Sequence, residues 1–127
     1  MIAPEDFYGA SYRDLIAWQK AMDLVMDVYR TSKAFPPDEL YGLASQLRRA
    51  AVGVPTNIAE GQARFSANEF HYFLGRARGS LVEVEPQLMI AQNLAYFSPE
   101  HGKHLLDQAA ELGKILNGLI GAIRPAA

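Results

Sequence analysis

Apolar side chains recur along this chain at steps of three and four residues, and four such rows predict four amphipathic helices. The first row is Leu15, Trp18, Met22, Val25 and Tyr29, which places a helix over about 12–32. Asp14, Gln19, Lys20, Asp23, Asp27 and Arg30 fill its wetter side. Phe35-Pro36-Pro37-Asp38 ends it, because two prolines cannot continue a helix and Asp38 can cap the next one. The second row, Leu40, Leu43, Leu47, Ala50, Val54 and Ile58, covers about 39–60, with Gly61 as a C-terminal stop. Ser66-Ala67-Asn68-Glu69 has the spacing of a capping box and opens a third helix over about 66–95. The core row there is Phe70, Leu74, Ala77, Leu81, Val84, Leu88, Ala91 and Ala95. Ser98-Pro99-Glu100 opens the fourth, over about 99–123, with serine as cap and proline at the first helical position. Leu105, Ala109, Leu112, Leu116, Leu119 and Ile123 are its core row. Short linkers make neighbouring helices antiparallel. The expectation is all-α: one up-down-up-down antiparallel four-helix bundle spanning residues 1–127.

Three features depart from that simple pattern. Pro55 removes a backbone donor inside the second helix and crowds the carbonyl of Ala51, so a bend is expected there. Pro86 inside the third predicts a kink or a break, since an interior proline costs about 3 kcal/mol in a straight exposed helix. Each of these two helices also carries a polar stripe beside its core row. On the second helix it is Gln46, Arg49, Gly53, Asn57 and Glu60; on the third it is Arg76, Ser80, Glu83 and Gln87. Buried charges require partners, so the two seams are expected to meet across the bundle or across a subunit boundary. The third helix further bears Tyr72, Gly75, Gly79, Val82, Pro86, Met89 and Tyr96, well round from its core row. A helix with small and apolar residues on two faces is buried on both. With only four helices, the second face is expected to meet another copy of the chain.

Composition narrows the chemistry. Half of the 127 residues are hydrophobic and a fifth are charged, the balance of one soluble globular domain. The absence of cysteine excludes disulfides, a thiolate nucleophile and a cysteine-based zinc site. The opening MIAPEDFYGAS is acidic and lacks the pattern of a signal peptide, and no apolar run spans a membrane, so a cytoplasmic address is expected. The net charge of −2 hides a gradient, because residues 48–78 alone carry +3, all of it from arginine. Arginine pairs bidentately with phosphate or carboxylate. Arg48, Arg64, Arg76 and Arg78 are therefore candidate contacts to an RNA or DNA backbone. The competing expectation is that they pair with Glu60, Glu83 and Glu85 inside the protein or its oligomer.

Residues for catalysis are missing from the pattern. His101 and His104 lie three apart at the start of the fourth helix with no third ligand assignable, and read as solvated helix surface. His71 borders the core row and reads as a packing residue. There is no repeated ExxH pair of a di-metal bundle, no glycine-rich phosphate loop and no nucleophile with an identifiable base. The expectation is a protein that is not an enzyme and uses no cofactor or metal.

DLIAWQKAMDLVMDVY, FPPDELYGLASQLRRAAVGVPTNIAEG and ARGSLVEVEPQLMIAQNLAY resemble the four-helix-bundle proteins first known from open reading frames in intervening sequences of bacterial 23S rRNA genes. The resemblance covers about residues 12–123, and RRA…VP.NIAEG and RGSL.E are its most specific parts. It implies a small helical bundle assembling into a ring-like homopentamer. The family's genetic setting, and its similarity to accessory bundle proteins of diversity-generating retroelements, imply nucleic-acid association without a defined biochemical activity. Gly53, Thr56 and Pro86 depart from the serine, alanine and threonine usual for the family. The resulting expectation is a non-catalytic homopentameric scaffold or adaptor associated with nucleic acid or a nucleic-acid-processing partner. The alternative is a purely protein-binding module.

Overall fold

A computed structural model describes residues 11–123 and Pro125. Four helices make up the fold: α1 (Ile16–Ser32), α2 (Leu43–Gln62), α3 (Ala67–Asn93) and α4 (Pro99–Ala122), with no strand among the described residues. Each helix packs on the one that follows it, and α4 returns to α1, so the four surround one core. The connections at 63–66 and 94–98 are too short for anything but reversal of direction. The fold is an all-α four-helix bundle.

Helix starts fall later than the apolar rows predict, and local hydrogen bonds explain why. Ser11 accepts from the backbone N–H of Arg13 and starts a 3-10 turn over Tyr12–Asp14, after which an extended Leu15 interrupts the chain before α1. A second 3-10 turn occupies Pro37–Glu39. There Glu39, not Asp38, provides the cap, its carboxylate accepting from the Leu43 N–H at 3.1 Å. Ser66 and Ser98 do cap α3 and α4, accepting from the N–H groups of Glu69 and His101. Both α2 and α3 run unbroken through their prolines, so the expected break at Pro86 is absent.

The core rows of α2, α3 and α4 are as the spacing predicts. Leu47, Val54 and Ile58, then Phe70, Leu74 and Leu88, then Leu105 and Leu116 are fully buried. On α1 the buried line is different: Ala17, Ala21, Leu24 and Val28, with Val25 beside it. Trp18 and Met22 are half-buried and Tyr29 is exposed. Both lines have helical spacing, so periodicity cannot choose between them. Two alanines at the centre let α1 approach its neighbours closely, while the bulky side chains of the other line fit only at the flank.

Two helix ends also differ from expectation. Gly61 adopts no left-handed conformation; it is buried inside α2, where an added Cβ would lie 2.7 Å from the Phe73 Cβ. Its role is close packing of α2 on α3. The left-handed position falls instead on Phe65 in the linker and on Ala95 after α3, with φ of 52° and 59°. At Ala95 the Tyr96 N–H donates to the Ala91 carbonyl and the Ala95 N–H to that of Gln92, the paired bonds of a Schellman end. No helix among the described residues is long and apolar enough to cross a membrane.

Candidate functional site

The two polar stripes meet within one chain. At their crossing Gly53 of α2 faces Ser80 of α3 so closely that an added Cβ would sit 2.6 Å from the serine Oγ. Gln46, Arg49, Gly53, Ser80, Glu83 and Gln87 line the resulting surface groove of ≈ 550 Å³. Arg49 and Glu83 share it without forming an ion pair, and the Gln87 Oε1 is buried there with no hydrogen-bond partner. The far ends of the stripes turn elsewhere. Asn57 donates to the Gly53 carbonyl at 2.7 Å, and Glu60 pairs with Arg64 at 2.8 Å.

The candidate nucleic-acid arginines do not gather on one surface. Arg48 is half-buried: its Nε donates to Ser32 Oγ at 2.7 Å and its guanidinium lies 4.9 Å from the centre of the Tyr29 ring. Arg64 pairs with Glu60 and, at 3.7 Å, with Glu69, and lies over Phe73. Arg76 turns to the Tyr72 hydroxyl at 3.4 Å. Arg78 is exposed with no hydrogen-bond or ion-pair partner among the described residues. Arg76 and Arg78, two apart on a helix, project to different sides. Of the three acids expected to pair with arginine, Glu60 does so; Glu83 and Glu85 form no ion pair.

The second row of α3 lies open. Tyr72, Val82 and Met89 are more than half exposed, Pro86 is exposed, and nothing comes within 4 Å of a Cβ built on Gly75 or Gly79. Tyr96 leaves that row, because α3 has already ended at Asn93. The Tyr96 ring packs on Phe35 and its hydroxyl donates to the Glu39 carboxylate at 2.8 Å. That hydrogen bond, with the nearby charges of Glu39 and Asp38, raises the Tyr96 phenol above its ordinary value.

Among the histidines, His101 is not simply solvated: its Nε2 lies 2.6 Å from the hydroxyl of Thr31, and its ring packs edge-on to Phe97. His104 approaches Asp27, which Gln108 and Arg30 already hold by hydrogen bonds. No group of three or more His, Asp or Glu among the described residues is placed to hold a metal ion.

One surface was not legible from spacing. Tyr29, Leu40, Tyr41, Ser45, Arg48, Arg49 and Val52 line a groove of ≈ 480 Å³ where α1 ends and α2 begins. Tyr41 is 93% exposed. The apolar row assigns Tyr29 to the core and starts α2 before Tyr41, and only Gly42, directly after Tyr41, signals in the sequence that the helix begins later.

Residues 13–118 match the family described as "23S rRNA-intervening sequence protein". Curated proteins give no match to this sequence. Among solved structures, a protein of unknown function from the S23 ribosomal protein family of Bacteroides thetaiotaomicron superposes with a TM-score of 0.77. It is 19% identical, over 83% of this chain and 98% of that one, which speaks for a shared fold alone.

Proposed function

The chain belongs to the 23S rRNA-intervening sequence protein family, and from that premise we propose that it is a non-catalytic homo-oligomeric scaffold associated with nucleic acid. The observation that carries the oligomer is the outer face of α3. Tyr72, Val82 and Met89 stand exposed there beside the bare backbone of Gly75 and Gly79, on a helix whose opposite row is wholly buried. Small residues let a second helix approach closely, and the exposed side chains supply the apolar area that association requires. The same face on each copy suits a ring, and a homopentamer is the form proposed. Val82→Arg is expected to reduce the solution mass, measured by light scattering after size exclusion, to that of a monomer while circular dichroism stays helical. An unchanged mass for Val82→Arg and for Gly79→Glu would sink the assignment.

Nucleic-acid association is the finer part of the proposal. It is supported by the +3 balance of residues 48–78 and by the free cations Arg49 and Arg78. The ion pairs of Arg64 with Glu60 and Glu69 favour a second reading, a module whose partner is a protein alone. Fluorescence anisotropy of labelled RNA and DNA across salt concentrations separates the two. Association with phosphates gives affinity that falls linearly on a log–log salt plot. No binding at low salt leaves the protein-only reading.

A further inference from the structure

From the surface where α1 gives way to α2, we infer a binding site for single-stranded nucleic acid, with Tyr41 as the stacking platform. The inference rests on the nucleic-acid association proposed above, but it uses a different set of residues. Tyr41 lies on the turn before α2 with its ring almost wholly in solvent, at 93% exposure. A ring so placed adds nothing to the core, and its face is free to take a planar partner. Ser45, Arg48 and Val52 follow it at steps of four, three and four, which sets them along one side of α2.

Charge decides the class of ligand. The groove under Tyr41 shares Leu40 and Arg48 with a second groove of ≈ 330 Å³ that reaches Lys33 and Pro36. The charged side chains lining the two are Lys33, Arg48 and Arg49, all cations, in a chain whose net charge is negative. The nearest acids in sequence, Asp38 and Glu39, line neither groove. Glu39 is turned toward the Leu43 N–H and the Tyr96 hydroxyl. Arg48 is already held flat over Tyr29, so a rigid arginine–aromatic pair sits beside the free ring. Cations flanking exposed aromatic faces bind a strand by its phosphates while its bases stack, without sequence readout. A duplex keeps its bases stacked on one another and offers the ring nothing.

The test is anisotropy of a labelled twenty-nucleotide single strand, and of its duplex, with the full-length protein, from low to moderate salt. The expected result is tighter binding of the single strand than of the duplex. Tyr41→Ala should weaken single-strand binding roughly tenfold, and Tyr41→Phe should retain it. Lys33→Ala with Arg49→Ala should lower the slope of the log–log salt plot by about one. Arg78→Ala, outside the grooves, should change neither. Tyr41 is exposed and outside the helix, so matching circular dichroism and melting curves will show the variants folded. Equal binding of strand and duplex, strand binding that survives both Tyr41→Ala and the double variant, or preference for an acidic peptide probe overturns the inference alone. No saturable binding of either nucleic acid overturns it together with the association on which it rests.

Discussion

At the scale of single residues, the tightest statements concern side chains whose neighbours leave no slack. Gly61 touches Phe70 and Phe73 where α2 and α3 cross. Gly61→Ala would raise helix propensity yet force a Cβ within 2.7 Å of the Phe73 Cβ. Overpacking wins: a loss of about 1–3 kcal/mol is expected in urea unfolding at fixed protein concentration. Tyr96 offers a pH test. Its folded pKa is raised by the hydrogen bond to Glu39, so the protonated phenol is the form that stabilises the fold. That contribution is fully present below the ordinary phenol value of about 10 and is lost as pH rises through the higher folded value. Tyrosinate absorbance should show a late-titrating component that Tyr96→Phe deletes and Glu39→Gln returns to the ordinary range. Neither residue role was legible in the sequence. Glycine after a helical run is the common signal of a helix stop, and a tyrosine in register with an apolar row reads as part of it.

At the scale of elements, the caps and the prolines behave differently. A capping box is a local device, since Ser66 needs only the N–H three residues on, and the spacing was enough to find it. An interior proline is local in what it removes but not in what it does to the helix, because tertiary packing can hold the helix together around it. Pro55 is buried in α2 and Pro86 is exposed in α3, and both helices continue. Pro86 has no packed neighbour to justify its missing N–H in the isolated chain. Pro86→Ala is therefore expected to stabilise the fold by about 2 kcal/mol. The measurement is chemical unfolding monitored by circular dichroism under dilute conditions, where self-association does not contribute. No gain, or a loss, would mean that the helix geometry at this point depends on the proline.

At the scale of the whole molecule, one question is which apolar surfaces are closed by the bundle and which are left for something else. Helices α2, α3 and α4 each bury one complete row, and the rows facing inward account for the core. The outer row of α3 and the surface around Tyr41 are left over, the first with bare glycines and the second with cations. They suit different occupants. Val82→Arg should disturb self-association without removing strand binding by the monomer, and Tyr41→Ala should do the reverse.

The sequence by itself determined the number and order of the helices, the core rows of α2 to α4, two of the caps and the absence of cysteine chemistry. Those follow from periodicity, turn residues and composition, all of which act over a few residues along the chain. Only the tertiary structure decided which arc of α1 is buried, why Gly61 is glycine, and that Gly53 and Ser80 bring the polar seams together inside one chain. It also decided the fate of the arginines, tying Arg48 to Ser32 and Tyr29 and Arg64 to two glutamates while leaving Arg49 and Arg78 free. The physical reason is range. Spacing reports the circumference of one helix, whereas burial and ion pairing depend on what a neighbouring helix places within a few ångströms.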